Sequence, residues 1–457
     1  MPAAPSPERD RLPRNRGRGR YRARPLGVPM QRLLLLLEHT TYKAQAFLDA
    51  AAKLGVAVTV GTDRRQVLAA VHPAGNLTLD FGDPEAAADE IVAFAHRYPV
   101  DAVVAADDEG ALLAACAAGR LGLRYSSLDA VGAARDKHRT RQALHAAGLP
   151  VPTFRTVALD SAPESVAHAV SYPCVLKPLG MSASRGVIRA DDPPGFVAAC
   201  QRLRPILQGR GQTSDNLEFL VEDFIPGVEF ALEGLLDDGR LRLLALFDKP
   251  DPLDGPFFEE TIYVAPSRHP RDVQQAIVSM AERGCAALGL RHGPVHAELR
   301  WNARGAWVLE IAPRSIGGLC SRALRFGDGT VSLEELLLRH ALGQRTDGLE
   351  RETAASGVMM VPIPRPGVLR SVRGQEEAAR VPGIDEVRMT IPPGQTVAPP
   401  PEGSRYLGFL FARGATPGAV ETALRAAHAR LAIDIEPTTA EAAAAAIRRE
   451  ADASLHR

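Results

Sequence analysis

The chain has 457 residues, with 54 lysines and arginines against 54 aspartates and glutamates. A formal net charge of zero gives the folded body no electrostatic reason to bind nucleic acid or an acidic membrane surface. No apolar run approaches the roughly 20 residues that a membrane-spanning helix needs. At about 150 residues per domain, the length favours about three domains.

Five cysteines are scattered along the chain, with no CxxC spacing and no disulfide framework. We therefore expect a protein of a reducing, cytoplasmic compartment that acts without nucleic acid or a membrane. Only five of the basic residues are lysines, and the rest are arginines. Because a compact ammonium differs from a planar guanidinium, these few lysines indicate positions where an ammonium could have a specific role. These lysines are Lys43, Lys53, Lys137, Lys177 and Lys249.

Residues 1–29 are rich in arginine, proline and glycine and contain almost no large apolar side chain. Such a segment cannot bury enough surface to fold, so we expect a disordered tail. The alternatives are an RNA-binding arm, a transit-like peptide, or sequence upstream of a true start at Met30.

Apolar strands alternate with helices between residues 30 and 133. Strands are predicted at Arg32–Glu38 and Val100–Ala106, and the second runs into the acidic residues 107–109. This alternation indicates a parallel sheet with helices on both faces. The first strand is not followed by GxGxxG, so the dinucleotide-binding fingerprint is absent.

A second unit is predicted at 134–350 and a third at 351–457. The second opens with a helix at Asp136–Ala147. Later strands form meanders rather than strand-helix alternation. The expected fold class is therefore α/β in the first unit and α+β beyond it.

Two acidic side chains within 295–314 carry the strongest chemical signal. Side chains alternate faces along a strand, so a turn at 302–305 would place Glu298 nearly opposite Glu310. Like charges there destabilise a sheet unless a cation or a shared proton joins them. Carboxylate oxygens favour Mg²⁺ or Mn²⁺, with phosphate oxygens completing the shell. The alternative is an exposed hairpin face whose charges are solvated.

The nearby histidines, His292 and His296, do not predict a zinc site. Their spacing suits a helix, but Gly293 and Pro294 break any helix there, and no HExxH occurs. We interpret both as ordinary polar histidines.

A small-residue loop at 180–186 follows the strand that ends at Lys177. Its backbone N–H groups could fold over phosphates, although it lacks the GK[ST] of a P-loop. A plain turn is the alternative, and Lys137 could equally be a solvated surface lysine. Farther along, an apolar strand at 220–223 runs into Pro226-Gly227, where backbone groups could pair with a flat base.

Taken in chain order, these motifs resemble those of the ATP-grasp superfamily. Within it, they are similar to carboxylate–amine ligases of the L-amino-acid ligase and biotin-carboxylase-like type. The motifs that carry the resemblance are VLKP, VEDFIPGVEF and HAE…LEIAPRSIGG. The resemblance implies an ATP-grasp domain over 134–350, with a lid subdomain at about 150–220. It also implies a Rossmann-like preceding domain and a C-terminal α/β module.

The resemblance also implies roles for individual residues. ATP would be bound by Lys137 and Lys177 at its phosphates, by Ser182, Ser184 and Gly186 in the lid loop, by Glu222, Phe224 and Ile225 at the adenine hinge, and by Glu229 at the ribose. Mg²⁺ or Mn²⁺ would be held by Glu298 and Glu310. Catalysis and substrate binding would fall to Arg314, Lys249 and Glu259.

The sequence departs from the family pattern at one position. The family usually has Asn two residues after the second metal-binding Glu, as a further metal ligand, and here that residue is Ala312. This departure leaves open whether one or two metal ions bind.

The predicted function is an ATP-dependent ligase that joins a carboxylate and an amine through an acyl phosphate, releasing ADP and phosphate. Its expected partners are small-molecule substrates, the amine belonging to an amino acid. The alternatives are a biotin-carboxylase-like or purine-pathway ligase of the same fold, or an ATP-binding pseudo-enzyme. The sequence leaves the oligomeric state open, with a homodimer as one option.

Overall fold

A computed structural model describes residues 30–39, 41–64, 72–209 and 217–455 of the chain. The predicted tail at 1–29 lies outside the described residues. Among the helices that the model describes, none is long and apolar enough to cross a membrane.

The first sheet is parallel, with strand order β3-β2-β1-β4. Leu34 and Leu36 of β1 face one core while Leu33 and Leu35 face another, because side chains alternate along a strand. An apolar strand buried on both faces is typical of such a sheet. The elements are β1 (Arg32–Leu37), α1 (Ala44–Leu54), β2 (Ala57–Thr62), β3 (Asn76–Thr78), α2 (Pro84–Ala95), β4 (Ala102–Ala105) and α3 (Asp108–Leu121).

Two helices, α4 (Leu128–Arg135) and α5 (Lys137–Ala146), lead into the second sheet. Asp136 caps α5 by accepting from two backbone N–H groups of its first turn. The second sheet is antiparallel, with order β5-β8-β6-β7 and its own apolar core. Its elements are β5 (Phe154–Ala158), α6 (Pro163–Ala167), β6 (Cys174–Pro178), β7 (Ile188–Ala190), α7 (Pro193–Gln208) and β8 (Glu218–Asp223).

The central sheet begins with a hairpin and includes the predicted pair of carboxylates. Strands β12 and β13 are antiparallel, and Glu298 pairs with Glu310, as predicted. Helix α8 packs its buried face, including Gly284, against Ile311 and Val308 of β13. The elements are β9 (Val228–Asp237), β10 (Arg240–Asp248), β11 (Ile262–Ala265), α8 (Arg271–Leu288), β12 (Gly293–Asn302), β13 (Gly305–Ala312), α9 (Leu333–Ala341) and β14 (Ala355–Val361).

The C-terminal segment continues this sheet and adds a small one. The central sheet has the order β13-β12-β9-β10-β11-β14-β18-β16, so three strands beyond residue 350 extend it. The small sheet has the order β17-β15-β19. The elements are β15 (Gly367–Arg373), α10 (Gln375–Ala379), β16 (Ile384–Met389), β17 (Thr396–Val397), β18 (Gly408–Gly414), α11 (Pro417–His428), β19 (Ala432–Pro437) and α12 (Ala440–Leu455).

The turn between β8 and β9 requires a glycine. Gly227 has φ +125°, and a Cβ there would lie 2.2 Å from the carbonyl oxygen of Trp301. We expect Gly227→Ala to lower the free energy of unfolding by about 1–3 kcal/mol, measured by urea denaturation.

Gly119 provides the matched control. It is exposed in α3, and a Cβ at this position would meet no atom within 4 Å. Gly119→Ala should be neutral or stabilise the protein by about 0.5–1 kcal/mol. Equal effects of the two substitutions would contradict this account of the turn.

Candidate functional site

A cavity of about 910 Å³ lies where the first sheet, the second sheet and the central sheet meet. Most of the predicted site residues line this cavity. The predicted residues that line it are Lys137, Lys177, Ser182, Ser184, Glu222, Phe224, Ile225, Glu229, Glu298, Glu310 and Arg314. Gly186, Lys249 and Glu259 are not among the lining residues.

Lys177 is held at the cavity by a buried carboxylate. Its Nζ lies 2.6 Å from Oε1 of Glu222, on the adjacent strand β8. Arg141 of α5 donates to the same carboxylate, with Nε 2.7 Å from Oε2 and Nη2 3.1 Å from Oε1. Both oxygens of Glu222 therefore accept from cations.

The charges of this cluster explain its protonation. Burial raises the pKa of Glu222, but Arg141 and Lys177 outweigh burial and lower the pKa to about 2. Burial disfavours the charged form of Lys177 as well, so its pKa is lowered. The carboxylate of Glu222 opposes part of this decrease. Sequence reasoning missed Arg141, since one arginine in an arginine-rich helix has no distinguishing signal.

The loop after β6 forms a compact turn over the cavity. Ala183 and Ser184 both have positive φ, 56° and 53°, which is uncommon for residues other than glycine. Gly186 follows with φ 73°, and its N–H donates to the carbonyl of Pro401 at 2.9 Å. Two such residues in succession make the backbone of this loop locally strained, so the surrounding structure must hold it in place.

Lys137 joins this loop to the central sheet. Its Nζ donates to the carbonyl of Met181 at 2.6 Å and lies 3.4 Å from Oε2 of Glu310. The side chain is mostly buried. The alternative reading of Lys137 as a solvated surface residue is therefore wrong.

Aromatic rings form one wall of the cavity beyond Glu222. The rings of Phe224 and Phe258 are stacked with centroids 6.3 Å apart, and the guanidinium of Arg189 lies 4.2 Å from the Phe224 ring. Arg300 donates to the carbonyl of Ile225 at 2.6 Å. Flat apolar faces beside a strand end suit a planar base.

Lys249 lies at the centre of a cluster of carboxylates. Its Nζ is 2.8 Å from Oε1 of Glu229 and 3.2 Å from Oε1 of Glu298, and it also contacts Glu260. Arg300 Nε donates to the other oxygen of Glu229 at 2.9 Å. Glu229, expected at the ribose, thus has a cation on each oxygen.

Glu298 and Glu310 both line the cavity from neighbouring strands. Burial raises the pKa of Glu298, but Lys249 and His296 outweigh it and hold the pKa well below its usual range. Carboxylates at paired positions of neighbouring strands offer the oxygen ligands that a hard divalent ion prefers. The alternative of an exposed hairpin face is wrong, because this face lines the cavity.

His296 belongs to the site, which sequence reasoning missed. Its Nδ1 lies 2.5 Å from Oε1 of Glu233, and its Nε2 lies 3.6 Å from Oε1 of Glu298. Burial lowers the pKa of His296, but the carboxylates of Glu233 and Glu298 outweigh burial and raise the pKa to about 9. The alternation that places Glu298 on the cavity face also places His296 there.

Arg314 is oriented by the first sheet. Its Nη2 lies 2.8 Å from Oδ2 of Asp108, at the start of α3, and its Nη1 donates to the carbonyl of Ser315 at 2.9 Å. Burial raises the pKa of Asp108, but Arg314 outweighs it and the pKa falls to about 2. Lys43 donates to the carbonyls of Ala106 and Ser315 at 2.7 and 3.4 Å.

Glu259 and Glu260 differ in placement. Glu260 lines the cavity, whereas Oε1 of Glu259 is buried without a hydrogen-bond partner among the described residues. Burial raises the pKa of Glu259 to about 6. The predicted substrate role of Glu259 stays a prediction, and its neighbour is the one that reaches the cavity.

Three family profiles match consecutive parts of the chain. They are the ATP-grasp N-terminal domain at 48–123, the ATP-grasp domain at 170–323 and the L-amino acid ligase C-terminal domain 2 at 359–436.

Individual curated proteins are also similar to the chain. The protein y4rH of Sinorhizobium fredii is 26% identical over 66% of this chain and 61% of its own length. Alanine–anticapsin ligase of Bacillus amyloliquefaciens is 27% identical over 51% of this chain and 52% of its own. The chain thus spans only about half to three-fifths of these relatives.

A solved structure matches more completely. The L-amino acid ligase from Bacillus licheniformis has a TM-score of 0.74 and 25% identity, covering 89% of this chain and 99% of that one. The predicted ATP-grasp fold is confirmed.

The buried cluster around Glu222 predicts a pH-dependent stability. A carboxyl with a lowered folded-state pKa stabilises the protein above about pH 4.5, and this stabilisation is lost as the pH falls towards about 2. We expect Glu222→Gln to cost about 3 kcal/mol at pH 7, and less as the pH falls below 4.5. Urea unfolding from pH 7 to pH 3 measures both.

Glu218→Gln is the matched control, because Glu218 is exposed on the same strand. Its effect should stay within about 0.5 kcal/mol at every pH. A cost of Glu222→Gln that does not change with pH would contradict the ion-pair assignment.

Proposed function

We propose that this chain, a member of the ATP-grasp superfamily, is an ATP-dependent carboxylate–amine ligase. The observation that carries the proposal is the pairing of Glu298 with Glu310 in a cavity that Lys137 and Lys177 also line. Opposed carboxylates beside two ammonium groups suit a metal-bound polyphosphate, whose negative charge the lysines neutralise.

The cavity wall formed by β6 and β8 would hold the nucleotide. Phe224 and Phe258 would pack beside its base, and Lys137, Lys177 and the loop at 182–186 would bind its phosphates. Glu298 and Glu310 would hold the divalent ion, Mg²⁺ or Mn²⁺, which would supply positive charge for the phosphate oxygens. The loop at 182–186 would also keep water from the reacting phosphate.

The carboxylate substrate binds beside Arg314. One of its oxygens attacks the γ-phosphorus, the bond to ADP breaks, and an acyl phosphate forms. The amine then attacks the acyl carbon and loses a proton, while phosphate leaves with the electrons of the broken C–O bond. Arg314 orients the carboxylate with its planar guanidinium, and Lys249 adds positive charge nearby.

Amino acids are the proposed substrates, with the amine supplied by an amino acid. Support comes from the names of similar proteins, an alanine–anticapsin ligase and an L-amino acid ligase. Carboxylating and purine-pathway proteins of the same fold are only 13–16% identical, so their likeness concerns the fold alone.

The direct test is a screen of amino-acid pairs for ADP release. We expect ADP only when a carboxylate and an amine are both present. Bicarbonate-dependent turnover would favour a carboxylating enzyme instead. If calorimetry shows ATP binding but no amino-acid pair gives turnover, the chain would instead be an ATP-binding pseudo-enzyme. This alternative arises because Ala312 stands where the family has a metal-binding Asn.

Glu310→Gln tests the metal assignment. Loss of one of two opposed carboxylates should lower Mg²⁺-dependent turnover by about 10³-fold. The circular dichroism spectrum should stay unchanged, because Glu310 is only half-buried. The exposed Glu376→Gln is the control. Unchanged Mg²⁺-dependent turnover in Glu310→Gln would refute the assignment.

Asp108→Asn tests the orientation of Arg314. Without the ionised partner, the KM for the carboxylate substrate should rise about tenfold, whereas the KM for ATP should not change. The control is Glu352→Gln, which weakens the ion pair between Glu352 and Arg413. Neither of these two residues lines the cavity. Equal changes in both KM values would indicate general damage and contradict the orienting role.

A further inference from the structure

We propose that Lys249 is a built-in cation of the site, so that the chain binds one divalent ion with its nucleotide rather than two. The inference rests on the proposed function, because it concerns the ions that accompany bound ATP.

The carboxylates around Lys249 have a spacing that a metal ion could use. One oxygen from each of Glu229, Glu260 and Glu298 lies within 4.8 Å of the other two. The ammonium of Lys249 contacts all three carboxylates. An ammonium has three N–H donors, so each carboxylate can take one. A divalent ion at this centre would have to displace the ammonium, which already contacts one oxygen of each carboxylate.

Lys249 is also fixed in this position. Its side chain is 2% exposed, and the ring centroid of Tyr263 lies 5.0 Å from its Nζ. Arg300 holds the other oxygen of Glu229. Moving the ammonium away would leave buried carboxylates without a partner, which is strongly unfavourable. The lysine therefore competes effectively with an incoming ion.

The neighbouring strand offers no replacement ligand. Ala312 lies two residues beyond Glu310, hence on the same face of β13, and it pairs with His296 across the hairpin. A methyl group donates no oxygen to a metal. What remains for one ion is Glu310 together with the second oxygen of Glu298, Oε2, because Lys249 and His296 both contact Oε1.

A fixed ammonium offsets the charge of these carboxylates without a binding step. Lys249 is already in place within the protein, so no second metal ion is needed to compensate the three mostly buried glutamates. The consequence for the chain is a metal stoichiometry of one.

Counting bound Mn²⁺ tests the proposal without measuring turnover. Each protein is saturated with the non-hydrolysable analogue AMP-PNP, and the unbound analogue is removed. Mn²⁺ is then titrated in, and electron paramagnetic resonance reads the free Mn²⁺. We expect one Mn²⁺ per chain for the wild type and two for Lys249→Met, which frees the three carboxylates. Two for the wild type, or one for Lys249→Met, would overturn the proposal.

Two further variants sharpen the count. Lys53→Met removes an exposed lysine and should keep one Mn²⁺. Ala312→Asn adds a ligand but keeps Lys249, and should also bind one. A second Mn²⁺ in Ala312→Asn would show that the missing ligand, not the lysine, limits binding. This count and that of the wild type decide the matter even if Lys249→Met fails to fold.

Calorimetry with AMP-PNP separates this inference from the proposed function. Absence of analogue binding would contradict both. Analogue binding with two Mn²⁺ per wild-type chain would contradict only the role of Lys249. One Mn²⁺ per chain in both the wild type and Ala312→Asn, with no ADP released from any substrate pair, would uphold the role of Lys249 and contradict the ligase activity.

Discussion

Glu298 and Glu310 face each other across two hydrogen-bonded strands, and like charges in that arrangement require cations around them. Lys249 and His296 approach Glu298, and Lys137 approaches Glu310. Much of the surrounding architecture serves to bring those cations in from elements distant in the sequence. The energetic cost of burying each carboxylate is thus offset within the protein by a cation from another element.

The same principle repeats around the cavity. Glu222 binds Lys177 and Arg141, and Asp108 binds Arg314. Each ion pair joins two different elements, so each orients a cation and also connects parts of the fold. The site is therefore inseparable from the assembly of the sheets, and Asp108 makes the first sheet part of it.

Prediction succeeded where chemistry follows from local spacing. The facing of Glu298 and Glu310 follows from strand alternation and one turn. The scarcity of lysines was also informative, because Lys43, Lys137 and Lys177 line the cavity and Lys249 contacts its carboxylates. Residues such as Arg141, whose role depends on a partner on another element, gave no such signal.

The strands, the hairpin that pairs two glutamates and the resemblance to the ATP-grasp superfamily could all be read from the chain, since each depends on residues close together in it. That Glu260 rather than Glu259 reaches the cavity, and that Lys249 lies among three carboxylates, became visible only in the folded protein. Charge pairing acts over a few ångströms in space, while its partners are separated by tens of residues in the sequence. No local periodicity encodes such distances.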